Sequence, residues 1–156
     1  ATAHGMKLRP HSKTHKSADI ARRQLAAGAL GVCCAKLGEA EALGEAGIEG
    51  LHITSPVVTP QAITRLIALN AKVKGLMVVV DHPANVAALA AAAEKAGQVL
   101  TVIVDIDPGI HRTGTATPEA GPAWRFQARP ISEADLLAQS GVDAATIPIA
   151  TASPCV

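Results

Sequence analysis

Between Gly31 and Asp107 the chain alternates between short apolar runs and helix-length stretches. The runs GVCCAK, LHITS, LMVVVD and VLTVIVDID are too short for buried helices and carry β-branched residues with few charges. That is the signature of strands covered on both faces. The stretches between them carry helix punctuation. Ser17 can cap a helix over residues 18–25, with Asp19 in its first turn and Gly28 as its stop. GEAEALGEAG ends at Gly47, Thr59-Pro60 opens QAITRLIALNAK, and Pro83 opens NVAALAAAAEKAG, which Gly97 closes. Strands alternating with helices of about a dozen residues imply parallel βαβ units, so the fold class is α/β. A barrel and an open doubly wound sheet both satisfy this alternation. No GxGxxG or GxxxxGK[ST] follows any strand, which counts against the nucleotide-binding forms of the open sheet.

The length of 156 residues suits one domain with a real core. Hydrophobic residues at 49% and charged residues at 17% exclude disorder over most of it, and a net charge of +1 gives no reason to expect a nucleic-acid partner. Three cysteines, two of them adjacent, form neither a disulfide framework nor a zinc pattern and fit a reducing compartment. No signal peptide is read at the start and no apolar run is long enough for a bilayer, so a soluble cytoplasmic protein without a membrane partner is expected. Tyr is absent, and the single Phe and Trp lie at 126 and 124, so Leu, Ile, Val and Ala must fill the core before them.

The stretch LRPHSKTHKS places Arg9, His11, Lys13, His15 and Lys16 within eight positions, just ahead of the Ser17 cap. If it is extended, Arg9, His11, Lys13 and His15 share one face. Three readings compete. A metal site is weak, because the two imidazoles stand roughly 13 Å apart on a strand. A solvated basic edge conflicts with the strand slot that the segment occupies in a βα repeat. The third is a pocket for an anionic aldehyde cofactor, where neighbouring positive charge and burial keep a lysine unprotonated for Schiff-base chemistry. Pyridoxal phosphate carries both groups. Thr54, Ser55, Asp81, His82, Asp105 and Asp107 also fall at or just after strand C-termini, the catalytic rim of a (β/α)8 barrel. For Asp81 and Asp107 the alternative is a turn or cap role.

RPHSKTHKS, LAAGALGVCCAKLGEAEALGEAG and VDIDPGIHRTG together resemble the D-threonine aldolase and D-serine dehydratase family, whose members are alanine racemase-like pyridoxal-phosphate barrels followed by a β domain. The resemblance implies a partial (β/α)8 barrel of the alanine racemase N-terminal type. By its motifs, Lys13 corresponds to the catalytic, cofactor-bound lysine and Arg112 to an arginine beside the phenolic oxygen of the ring. His15 would line the same cofactor pocket. The implied activity is lyase cleavage of a D-β-hydroxy amino acid to glycine and an aldehyde. A D-serine dehydratase-type lyase, a noncatalytic pyridoxal-phosphate-binding protein and an α/β interaction module without cofactor are the alternatives. The family also implies a divalent metal ion (manganese, magnesium or zinc) held by a C-terminal His with Asp or Cys, and such ligands have no counterpart here.

The motifs end at Gly114, dividing the chain into a partial barrel domain over 1–114 and a divergent tail over 115–156, for which a shifted reading frame is one origin. A closed barrel takes about 250 residues. This chain is therefore expected to be a truncated form with weak or no activity. The unpaired edges of a half-barrel invite self-association, so a homodimer is expected.

Overall fold

In the computed structural model of the chain, residues 5–116 are described. Four strands, β1 (Val32–Cys34), β2 (Leu51–Ile53), β3 (Met77–Val80) and β4 (Thr101–Val104), alternate with four helices: α1 (Ala18–Ala26), α2 (Leu37–Glu45), α3 (Pro60–Asn70) and α4 (Pro83–Lys95). The caps follow local chemistry. Ser17 Oγ accepts from Ile20 N, Thr59 Oγ1 from Ala62 N, and His82 Nδ1 from Ala84 N. Helix α2 starts after Lys36 without a side-chain cap. The tail assigned to 115–156 lies outside the described residues from 117 onward.

All strands are parallel and their spatial order is β1-β2-β3-β4. This order chooses between the two architectures. Right-handed crossovers that always step in the same direction leave every helix on one face, as in a barrel wall. A doubly wound sheet reverses direction at its switch point and covers both faces. The register gives the same answer. Val32, Cys34, Leu51, Ile53, Val78 and Val80 join Ala21, Leu37, Leu43, Leu66 and Leu89 in one core. The opposite face carries the row Cys33, His52, Met77 and Thr101, with Val79 beside Ile103.

The segment before α1 is strand-like only briefly. Leu30 N donates to Leu8 O, Cys33 N donates to Pro10 O, and His11 bridges Cys33 in parallel. It thus extends the sheet beyond β1. Gly31 permits this approach: a Cβ there would lie 2.0 Å from both Gly50 O and Arg9 Nη1. Among the described residues no helix is long and apolar enough to cross a membrane.

Candidate functional site

The basic stretch does not remain extended. At Ser12 the chain enters a 3-10 turn, Ser12–Thr14, and the period-two alternation ends. Ser12 is fully buried; its hydroxyl donates to Cys33 O at 3.0 Å and lies 3.8 Å from Cys34 Sγ. Because Ser12 takes the inward place, Lys13 turns outward and is exposed. This corrects the expectation of one shared face for Arg9, His11, Lys13 and His15, and of a buried lysine. Lys13 nevertheless stands at the C-terminal end of the sheet, directly after the His11–Cys33 bridge.

The remaining basic side chains of the stretch take separate directions. Arg9 is half-buried, and its Nη1 donates to Gly50 O at the N-terminal end of β2. His11 Nδ1 accepts from Lys13 N at 3.2 Å, which places the proton of the neutral ring on Nε2. That nitrogen lies 3.3 Å from Thr54 Oγ1, and the Thr54 hydroxyl donates to Cys34 O at 3.1 Å. His15 folds back so that its Nδ1 accepts from Ser17 N at 3.1 Å. Its Nε2 is buried and has no partner among the described residues. Lys16 pairs with Glu39 at 3.6 Å.

The face opposite the helices holds groups that spacing alone does not single out. His52 Nδ1 lies 3.8 Å from Cys33 Sγ, and its Nε2 is buried without a partner among the described residues. Burial lowers the His52 pKa first, with Arg9 and His11 adding to the effect. Burial and then Lys13 lower that of His11. The Cys33 thiol is pushed up by burial, and that of Cys34 to about 11 for the same reason. Both cysteines are free and suited to remaining protonated. The signal for His52 was its position between Leu51 and Ile53, which alternation turns away from the helices.

The second motif forms a closed loop after β4. Asp105 O accepts from Thr115 N at 2.9 Å and Asp107 N donates to Thr115 O at 3.0 Å. Asp81 Oδ2 accepts from Gly114 N at 3.3 Å, tying the end of β3 to the loop. Asp81 and Asp107 thus hold turns, as their alternative reading has it. Arg112 is exposed, and among the described residues neither Arg112 nor Lys13 pairs with a carboxylate. No hydrogen bond joins the two within that region. Among the described residues no group of three or more His, Cys, Asp or Glu is placed to hold a metal ion.

Comparison with known proteins places this arrangement in context. Residues 1–143 match the family model for the alanine racemase N-terminal domain, past the Gly114 at which the motifs end. The 3-hydroxy-D-aspartate aldolase of Paracoccus denitrificans (strain Pd 1222) is 44% identical over 121 residues, 77% of this chain and 31% of that protein. The D-threonine aldolase of an Arthrobacter species is 40% identical over 129 residues, 83% of this chain and 34% of that protein. The crystal structure of D-threonine aldolase from Filomicrobium marinum superposes with a TM-score of 0.70 at 38% identity, covering 73% of this chain and 31% of that one. The chain therefore spans about a third of the length of the curated relatives it matches. With a one-directional parallel βα sheet and this match over most of its length, the chain belongs to the alanine racemase N-terminal domain family.

Proposed function

We propose that this chain carries the cofactor-binding part of a pyridoxal-phosphate-dependent lyase acting on D-β-hydroxy amino acids, of the aldolase type that releases glycine and an aldehyde. The observation that carries this reading is the uncompensated charge at the C-terminal side of the sheet. Lys13 and Arg112 have no carboxylate partner among the described residues, and the His15 Nε2–H has no acceptor there. Unpaired cations and an unfilled donor fit a phosphate-bearing anionic cofactor. The names of the relatives support the reaction class, and the free cysteines suit a reducing cytoplasm.

On this reading Lys13 Nζ would be the covalent attachment point, His15 Nε2 would donate a hydrogen bond to the cofactor, and Arg112 would serve its phenolic oxygen. Pyridoxal phosphate, when bound, supplies the electron sink that stabilises a carbanion at the substrate's α carbon. The Lys13 amine would be the group that takes or returns a proton at the substrate. His11 and Ser12 fix the turn beneath it, through the Lys13 N–His11 Nδ1 contact and the buried Ser12 hydroxyl.

Titration with pyridoxal phosphate tests the proposal. A visible absorption band is expected in the parent chain and absent in Lys13→Ala. A parent without the band, or a band that survives Lys13→Ala, refutes it. Glycine and aldehyde release from D-threonine by a family member of full length carrying this segment is the companion assay; a segment that binds the cofactor but supports no cleavage there is a noncatalytic binder.

A further inference from the structure

One carboxylate organises the loop that carries Arg112. Asp107 Oδ1 accepts from Gly109 N at 2.9 Å and from His111 N at 3.0 Å. Its Oδ2 lies 3.1 Å from His111 N and 2.8 Å from His111 Nδ1. The Asp107 side chain is only 12% exposed, whereas that of His111 is 84% exposed. Asp107 therefore holds the loop from beneath. His111 sits at φ +56°, a left-handed conformation that residues other than glycine seldom adopt without such support.

The other side of Arg112 is tied as firmly. Gly114 N donates to Asp81, and a Cβ at Gly114, which has φ +103°, would lie 2.5 Å from Asp107 N. Only Thr113 separates Arg112 from that fixed point. Three carboxylates, Asp81, Asp105 and Asp107, thus stand near the loop in sequence or contact, yet none pairs with the guanidinium among the described residues. The Asp107 oxygens are committed to the backbone and to His111. This matters chemically. An arginine meant for an external anion loses affinity if a neighbouring carboxylate satisfies it first.

We propose that Asp107 is the positioning residue for Arg112: it holds His111 in the left-handed turn, fixes the direction in which the next side chain leaves the loop, and leaves the guanidinium free for an anionic oxygen. The identity of that oxygen as the phenolic oxygen of pyridoxal phosphate rests on the function proposed above.

Two measurements on the 156-residue chain test this separately. The first needs no cofactor. Asp107→Ala removes both acceptor oxygens, so backbone exchange at Gly109 and His111 should accelerate about tenfold or more. Amides of β3 and β4 should change by less than about twofold. Unchanged exchange at His111 overturns the proposal, and so does acceleration spread evenly over the sheet. The second is a double-mutant cycle read by pyridoxal-phosphate affinity and by the position of the Lys13-dependent band. Arg112→Ala and Asp107→Ala should each weaken binding about tenfold, and the double variant should bind no more weakly than Arg112→Ala. Additive losses, or parental affinity in Asp107→Ala, overturn the positioning role. A parent chain without any Lys13-dependent band refutes the proposed function instead, and the exchange measurement then decides the role of Asp107 alone.

Discussion

Ser12 does most to place the candidate lysine, and it does so through a hydrogen bond rather than a charge. Its fully buried hydroxyl donates to Cys33 O. Ser12→Ala removes that hydrogen bond and should cost about 0.5–1.5 kcal/mol in denaturant unfolding; an unchanged stability would show that the turn is held by other contacts. The half-buried imidazoles set a pH dependence. Burial, then Lys13 for His11 and Arg9 for His52, lowers both pKa values, so the folded chain disfavours protonation of these rings. Once the pH falls below the ordinary imidazole value of about 6.5, the unfolded chain binds more protons than the folded one. Their contribution should therefore be flat above that value and erode stability below it. Urea midpoints at pH values from about 7.5 down to about 5.5 should fall in the parent and fall less in a His11→Asn, His52→Asn double variant. Identical slopes in the two would remove these rings as the cause. The role of Ser12 was not legible in the sequence. A serine between a histidine and a lysine reads as surface, and only its contact with Cys33, far along the chain, reveals burial.

At the scale of elements, punctuation and periodicity carried most of the information. Ser17, Thr59 and Pro83 begin their helices where capping chemistry requires, because a cap acts within three or four residues. Helix α3 buries Ile63, Leu66, Ile67 and Leu69 in the core. Leu66 is fully buried, so Leu66→Ala should cost about 2–5 kcal/mol, whereas Val99, 70% exposed, should tolerate Val99→Ser within about 0.5 kcal/mol. Equal losses at the two positions would contradict the assignment of the core to the helix-covered face. The opening stretch is where element-level reading failed. Its strand slot is real at the Leu8, Pro10 and His11 contacts, but the extended pattern does not reach Lys13.

For the whole molecule, the strand order makes this a segment of barrel wall, with helices outside and the row from Cys33 to Thr101 on the other face. Among the described residues β4 pairs along Thr101–Val104 only with β3, and Val99, Ile103, Ile106 and Ile110 are exposed near it. Such an edge favours self-association. Sedimentation should show a mass above the monomer that depends on concentration, and Ile103→Lys should return it to the monomer; a parent chain monomeric throughout would contradict this. The sequence alone determined the kinds of element, their order, most helix starts and the family motifs around Lys13 and Arg112, because propensity, capping and turn chemistry operate over a few neighbouring residues. Tertiary structure alone decided three further things: that successive crossovers advance in one direction, which face of each strand meets the helices, and how the lysine turn and the arginine loop are tied down. Those depend on pairs such as Ser12 with Cys33 and Asp81 with Gly114, distant along the chain, whose meeting depends on the packing of the whole sheet.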